Sequence, residues 1–156
     1  MQTTITNNAK ETQDLANKVA NQFLKNSSGE SAVVLSLKGN LGSGKTTFIQ
    51  GFAKGLGVKE KILSPTFVIM KRFSIQDKNW KNFYHIDCYR INKPEEILEL
   101  GFKDIIADPK NIVAIEWPEK ISKFLPKKTI YIEFKNIGES ARDIRLGDFE
   151  DIKKML

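Results

Sequence analysis

Residues Gly39 to Thr46 read GNLGSGKT and match the pattern G-x-x-x-x-G-K-[ST] at every fixed position. Glycines in such a loop allow successive backbone N–H groups to turn toward an anion. The lysine of the pattern, here Lys45, reaches the β- and γ-phosphates of a nucleotide, and the hydroxyl of the last residue, here Thr46, ligates magnesium. This stretch therefore predicts a phosphate-binding loop.

The flanks of this loop have the periodicities that such a loop requires. Residues 32–37 form an apolar, β-branched run that predicts a buried strand. After the loop, apolar residues recur at helical spacing, and Gly57 is placed to end the helix; they are Phe48, Ile49, Phe52, Ala53 and Leu56. Strand, loop and helix in this order predict a nucleoside triphosphate site, with the phosphates at the N-terminus of the helix.

The rest of the chain alternates between helical and strand patterns. We predict a helix over residues 11–25, a short helix beginning near Asn92, and strands at residues 67–73, 80–86, 112–115, 129–134 and 141–146. The first two of these strands form a hairpin, and residues 112–115 run parallel to residues 32–37. The expected fold class is α/β, a three-layer P-loop NTPase with a mixed parallel and antiparallel sheet. One domain covers residues 1–156, of which residues 1–10 could be disordered.

Composition and charge limit the classes of function. The chain has 156 residues, one cysteine, and neither a signal peptide nor an apolar run of the ~20 residues that span a bilayer. We therefore expect a cytoplasmic protein without membrane contact. The net charge is +6, and only four of the 25 basic residues are arginines. The remaining basic residues are lysines, and where they cluster they could face RNA or an acidic protein, or could form an ordinary solvated surface.

A carboxylate follows the second buried strand. Residues 112–115 are aliphatic and Glu116 comes directly after them. The first charged residue after a parallel strand marks the carboxyl edge of the sheet, where ligands bind in such folds. Glu116 is therefore predicted to hold magnesium, directly or through water, or to orient the attacking water.

Residues 83–90 read FYHIDCYR and contain a second group of candidates. In a strand, Phe83, His85 and Asp87 share one face. Asp87 could join Glu116 near the metal or accept a proton from water. His85 could shuttle a proton, although a hydrogen-bonded core residue is the favoured interpretation. Cys88 is expected to be a small buried hydrophobic residue.

A possible switch loop follows the helix of the P-loop. Residues 64–67 read SPTF and lie where the switch loops of P-loop NTPases lie. Thr66 could sense the γ-phosphate or complete the magnesium shell. A proline turn that enters a strand is the alternative.

Taken in order, these motifs resemble the bacterial TsaE (YjeE) family. The matching elements are GxxGxGKTT, SPTF, HxDxYR, ExGF followed by Asp, and IEWPE, spread over residues 11–146. The family consists of small ATPases required for threonylcarbamoyladenosine modification of tRNA at position 37. The resemblance implies ATP and Mg²⁺ as cofactors and the TsaD–TsaB heterodimer as partner, while contact with tRNA could be indirect and is not determined by the sequence. It does not determine the oligomeric state.

The resemblance also implies roles for individual residues. Asp87, Glu116 and Thr66 form the catalytic set, and Thr46 and Glu116 hold the metal. Nucleotide is held by a larger set, in which Thr47 lies near the α-phosphate and Thr12 near the adenine: Thr12, Gly42, Ser43, Gly44, Lys45, Thr46, Thr47 and Arg142. Trp117 follows the metal-binding acid, as the family pattern requires.

Other classes of P-loop protein fit less well. A small-molecule kinase usually carries an arginine-bearing lid, but no arginine follows Glu116 before Arg142. A GTPase would carry Asn-Lys-x-Asp late in the chain, whereas Asn92 and Lys93 precede the second buried strand and are followed by Pro-Glu. A non-hydrolysing, nucleotide-gated adaptor stays open. The expected activity is therefore a partner-dependent ATPase that is slow alone.

Overall fold

Seven strands and three α-helices make up the part of the chain that the computed structural model describes, residues 2–63 and 68–147. The strands are β1 (Gln2–Thr6), β2 (Val33–Lys38), β3 (Met70–Ser74), β4 (Asn82–Asp87), β5 (Asn111–Glu116), β6 (Thr129–Asn136) and β7 (Arg142–Leu146). The α-helices are α1 (Ala9–Leu24), α2 (Lys45–Gly55) and α3 (Phe102–Ala107). Two 3₁₀-helical segments, Pro94–Leu100 and Pro118–Phe124, complete the list.

The strands form one mixed sheet in the order β1-β7-β6-β2-β5-β4-β3. The central strands β6, β2, β5 and β4 run parallel, whereas β3 at one edge and β7 and β1 at the other pair antiparallel. Strand β5 is buried along its whole length and β2 along all but its last residue, which explains their continuous apolar runs. The predicted α/β class, the parallel pairing of β2 with β5 and the β3–β4 hairpin are confirmed.

Helical layers cover both faces of the sheet. Helices α1 and α2 pack on one face over an aromatic core that includes Phe23, Phe52 and Phe83. The 3₁₀ segments and α3 pack on the other face over a mainly aliphatic core. Each strand contributes apolar side chains to both cores, because successive side chains of a strand point to opposite faces of the sheet. On β4, Phe83 belongs to the first core and Ile86 to the second, as predicted.

Two glycines allow α2 to lie directly against α1. A Cβ atom added at Gly51 would lie 2.3 Å from the carbonyl oxygen of Gln13, and one added at Gly55 would lie 2.7 Å from the Cβ of Ala20. Such distances are below van der Waals contact, so no side chain fits between the two backbones. This close packing fixes the direction of α2, whose first turn follows the phosphate-binding loop.

The structure corrects several predicted boundaries. Residues 2–6 are not disordered: they form β1, which pairs with β7. The first helix begins at Ala9, because the side chain of Asn8 caps it by accepting a hydrogen bond from the Glu11 N–H at 2.9 Å. The helix predicted near Asn92 is a 3₁₀ segment that ends at Gly101 in the left-handed region, with φ of 78°. Strand β3 begins at Met70, later than predicted.

No helix among residues 2–63 and 68–147 combines the length and the apolar character that crossing a membrane requires. The finding agrees with the sequence, where no long apolar run occurs.

Candidate functional site

The phosphate-binding loop connects the end of β2 at Lys38 with the start of α2 at Lys45. Gly42 and Gly44 both have left-handed backbone conformations, with φ of 73° and 98°. A residue with a side chain adopts this region only with strain, so the loop geometry requires glycine at both positions. Gly44 is also the N-cap of α2, and it directs the positive end of the helix dipole into the site.

Lys45 is 5% exposed, and its ammonium group is folded back on the loop. Nζ donates to the carbonyl oxygens of Gly39 at 2.7 Å and Asn40 at 2.9 Å, and it lies 4.4 Å from the ring centroid of Trp117. Burial lowers the pKa of Lys45, and nearby carboxylates, that of Glu116 first, partly oppose this shift. The ammonium group is therefore paired with dipoles and a ring face, and a bound phosphate would supply a full negative charge.

Glu116 lies at the carboxyl end of β5 and faces the first turn of α2. The Thr46 hydroxyl donates to Oε1 of Glu116 at 3.0 Å, and Nε2 of His85 lies 2.8 Å from Oε2. Glu116 is 3% exposed and His85 is 1% exposed. Three residues from three separate elements therefore meet at one carboxylate, and among them are Thr46 and Glu116, the two residues predicted to hold the metal.

Asp87 ends β4 and stands in register with Glu116 on the neighbouring strand β5. Its Oδ1 accepts a hydrogen bond from the Tyr89 N–H at 2.9 Å. Burial raises the pKa of Asp87, and the adjacent negative charge of Glu116 raises it further against the opposing effect of the Tyr89 N–H. The carboxylate thus lies at the same sheet edge as Glu116, in a position from which it could accept a proton.

Arg142, at the start of β7, reaches across to the phosphate-binding loop. Nη2 donates to the carbonyl oxygen of Gly42 at 3.2 Å, and Nη1 donates to that of Ala141 at 3.0 Å. A Cβ atom added at Gly44 would lie 3.7 Å from Nε of Arg142. An arginine is therefore present beside the loop, although it comes from the last described strand and not from a lid after Glu116.

These groups line a cavity of about 570 Å³, a size typical of small-ligand sites. Most of the predicted site residues lie on its wall: Gly42, Ser43, Gly44, Lys45, Thr46, Thr47, Asp87, Glu116 and Arg142. The cavity opens at the carboxyl ends of the parallel strands, where ligands bind in open α/β sheets.

The oxygen donors of the cavity fit a magnesium ion. Thr46 and Glu116 offer a hydroxyl and a carboxylate whose oxygens are 3.0 Å apart. Magnesium is usually held by one or two protein oxygens together with water and substrate phosphates. Among residues 2–63 and 68–147, no group of three or more His, Cys, Asp or Glu side chains could hold a metal alone. The donor set therefore suits a metal that arrives with a nucleotide.

Of the predicted nucleotide-binding residues, Thr12 does not line this cavity. Thr12 is 2% exposed, and its hydroxyl is paired with that of Thr6 at 2.8 Å, so it does not line the cavity and the adenine contact predicted for it lacks support in this geometry. Thr66, with the rest of Ser64–Phe67, lies outside the described residues, and its role stays a prediction. Cys88 is buried and free, and burial raises its pKa to about 12, as expected of an inert core thiol.

Several residues on the cavity wall were not predicted from the sequence. They are Leu41, Val68, Ile69, Tyr89 and Arg90. The rings of Tyr89 and Trp117 lie 5.1 Å apart, and Trp117 has a left-handed backbone with φ of 56°. Tyr89 and Arg90 follow Asp87 after one intervening residue, Cys88, so their position just after a strand end, within the HxDxYR element, was the available signal. No sequence signal marks Val68 and Ile69, which reach the cavity through the tertiary fold.

Comparison with known proteins gives a consistent result. The family model "Threonylcarbamoyl adenosine biosynthesis protein TsaE" matches residues 6–144. The "tRNA threonylcarbamoyladenosine biosynthesis protein TsaE" of Bacillus subtilis (strain 168) is 38% identical over 111 residues, covering 71% of this chain and 66%, slightly under two thirds, of that protein. The protein of the same name from Rickettsia typhi is 34% identical over 137 residues, covering 87% of this chain and 88% of that protein.

A solved structure agrees over nearly the whole chain. The crystal structure of Bacillus subtilis YdiB matches with a TM-score of 0.74 and 28% sequence identity, covering 99% of this chain and 93% of that one.

Proposed function

The chain belongs to the TsaE family of threonylcarbamoyladenosine biosynthesis proteins, and from this premise we propose that it binds ATP with Mg²⁺ and hydrolyses it. The family has a role in the biosynthesis of this modified tRNA base. The proposed ATPase acts in the cytoplasm with the TsaD–TsaB heterodimer during modification of tRNA position 37, and its contact with tRNA is indirect.

One observation carries the proposal of nucleotide binding. The Thr46 hydroxyl and the Glu116 carboxylate are 3.0 Å apart at the start of α2, in a cavity that also contains the Lys45 ammonium group. A phosphate-binding loop, a lysine and a hydroxyl–carboxylate pair are the parts that P-loop NTPases use to hold a triphosphate with its metal. Lys45 is buried with carbonyl and hydroxyl groups as its hydrogen-bond partners among the described residues, so a bound phosphate would supply the negative charge that these groups lack.

Each group then has a defined task. Backbone N–H groups of residues 42–45 bind phosphate oxygens, and Lys45 neutralises charge on the β- and γ-phosphates. Thr46 and Glu116 would hold Mg²⁺, which when bound neutralises charge on the phosphate oxygens. Asp87 orients the attacking water and accepts its proton. Arg142 lies close enough to the loop to contact phosphate after small side-chain movements.

The proposed nucleotide is ATP, because no guanine-recognition motif occurs in the sequence. A small-molecule kinase is the main alternative enzyme. In the described structure the segment after Glu116 is the 3₁₀ helix Pro118–Phe124, which contains no arginine that could act as the lid arginine of such a kinase. Kinase activity would require an acceptor other than water, and a nucleotide-gated adaptor would bind ATP without turnover.

Substitution of Lys45 tests the proposal of nucleotide binding. Lys45→Ala removes a charge-assisted contact worth about 1.5–3 kcal/mol, so calorimetry should record a loss of ATP affinity of more than about tenfold. Lys54→Ala, an exposed lysine in the last turn of α2, is the matched control and should bind ATP normally.

Two results would contradict this function. Unchanged ATP affinity in a folded Lys45→Ala variant would remove the phosphate-binding assignment. If GTP competed for the site as well as ATP does, the assignment of adenine as the recognised base would be wrong. Release of phosphate under multiple turnover, measured with and without the partner pair, separates an ATPase from an adaptor.

A further inference from the structure

His85 is the single histidine of the chain, and it contacts the site without lining the cavity. It lies on the inner strand β4, is 1% exposed, and its Nε2 is 2.8 Å from Oε2 of Glu116. On the same face of β4, Phe83 belongs to the core that α1 and α2 cover, and Asp87 ends the strand. The histidine thus lies behind the site carboxylate, between the hydrophobic core and the cavity.

Among the described residues, each carboxylate oxygen of Glu116 has one hydrogen-bond partner. Oε1 accepts from the Thr46 hydroxyl, and Oε2 faces Nε2 of His85. The terminal torsion of a glutamate is intrinsically broad, so hydrogen bonds decide how the carboxylate plane is turned. Glu116 is 3% exposed, and water therefore offers little alternative solvation. The contact with His85 is therefore one of the two that hold the plane of this carboxylate.

We infer that His85 is a positioning residue that holds the Glu116 carboxylate toward Thr46 through a hydrogen bond from Nε2–H. A carboxylate oxygen only accepts, so the ring nitrogen in this contact must carry the hydrogen. The inference rests on the proposed function, because it assigns His85 to the same magnesium–nucleotide site. Hydrogen bonds from behind a metal ligand fix its orientation, and their loss typically lowers metal affinity 10–100-fold.

The expected signature of this role is specific. A histidine that only fills the core affects stability, whereas a positioning histidine affects the metal dependence of nucleotide binding. His85→Leu removes the hydrogen-bond donor and fills its place in the core with an apolar side chain. His85→Gln keeps an N–H donor on a side chain of similar reach. Phe83→Leu, on the same strand and face, loses core packing without touching Glu116 and is the matched control.

The experiment measures ATP affinity by calorimetry as a function of Mg²⁺ concentration, with circular dichroism to verify folding. For His85→Leu, the Mg²⁺ concentration that gives half of the gain in ATP affinity should rise about tenfold or more. His85→Gln should recover most of that loss, and Phe83→Leu should retain the wild-type value despite a lower melting temperature. In the Glu116→Ala background, His85→Leu should have no additional effect, because its influence passes through the carboxylate.

The outcomes separate this inference from the function on which it rests. If wild type gains ATP affinity with Mg²⁺ and His85→Leu retains the same dependence, the positioning role is wrong and the proposed function stands. Equal losses in His85→Leu, His85→Gln and Phe83→Leu would also overturn it, in favour of a packing effect. A wild-type protein whose ATP affinity does not respond to Mg²⁺ would overturn the proposed function itself.

Discussion

At the scale of single residues, Asp87 shows how site chemistry and stability oppose each other. Its carboxylate lies at the end of β4 beside Glu116, and burial together with that second negative charge raises its pKa. A raised pKa means that the folded protein holds the ionised carboxylate less favourably than the unfolded chain does. The same environment makes the group a better proton acceptor than an ordinary surface carboxylate.

We therefore expect Asp87→Asn to have opposite effects on turnover and on stability. Loss of a general base should lower the rate of ATP hydrolysis about 10²–10⁴-fold, with a much smaller effect on ATP affinity. At pH 7 the melting temperature should rise, because the unfavourable charge is removed. Since that penalty is absent below the unfolded-state pKa, the difference should shrink as the pH falls toward about 4.

Thermal unfolding at several pH values and a phosphate-release assay measure both effects. Asp104→Asn, an exposed carboxylate in the first turn of α3, is the control and should change neither quantity appreciably. Normal turnover in Asp87→Asn would remove Asp87 from the catalytic set.

At the scale of secondary-structure elements, the contact between α1 and α2 determines where the phosphate-binding loop points. Helix α2 begins at Lys45, so any shift of this helix moves the lysine and Thr46 with it. Gly51 and Gly55 are one helical turn apart and permit contact between the two backbones. Glycine normally costs a helix about 1 kcal/mol relative to alanine, and close packing offsets that cost here.

Substitution of Gly51 by alanine should therefore destabilise the protein, although alanine is the better helix former. The added methyl group would lie 2.3 Å from the Gln13 carbonyl oxygen, which belongs to rigid backbone. Overpacking of this kind costs about 1–3 kcal/mol, measured as a lower urea midpoint. ATP affinity should fall as well, because α2 has to move away from α1.

Gly138→Ala is the control for this substitution. A Cβ atom at Gly138 would lie 3.5 Å from the Cβ of Ala141, an ordinary contact, so this variant should unfold near the wild-type midpoint. A Gly51→Ala variant as stable as wild type would show that α1 and α2 adjust freely, contrary to the packing described above.

At the scale of the whole molecule, the surroundings of the cavity lead us to predict that turnover depends on a partner. The cavity is open at the carboxyl edge of the sheet, and exposed apolar residues surround its mouth: Leu41, Val68 and Tyr89. Arg142 is held by backbone carbonyl groups, and there is no glutamine among the described residues that line the cavity. A correctly placed arginine alone can contribute 10³–10⁵ in rate to such reactions.

The isolated chain should therefore hydrolyse ATP slowly, and addition of purified TsaD–TsaB should raise turnover clearly. Thr66→Ala should reduce that increase and leave ATP affinity intact. A switch residue responds to the bound nucleotide but contributes little to its affinity. Thr3→Ala, exposed on β1 at the far edge of the sheet, is the control. Fast hydrolysis by the chain alone, unchanged by the partners, would favour a stand-alone enzyme.

Local patterns in the sequence were enough to predict the parts of the site that are contiguous in the chain. The loop from Gly39 to Thr46, the buried strands β2 and β5, and Glu116 at the end of β5 are all consequences of spacing and periodicity. Backbone conformation there depends on neighbouring residues, since glycine permits a positive φ and apolar runs form strands buried on both faces. The α/β class follows from the alternation of the same elements.

Only the tertiary structure decided which side chains meet. The bond from His85 to Glu116, the approach of Arg142 to the loop and the burial of Thr12 away from the cavity each join residues from different elements. Strand order, register and the packing of α1 on α2 determine these contacts, and they result from the burial of two cores by the whole chain. Such non-local contacts leave no periodic signal in a single sequence, whereas the residues that shape the loop do.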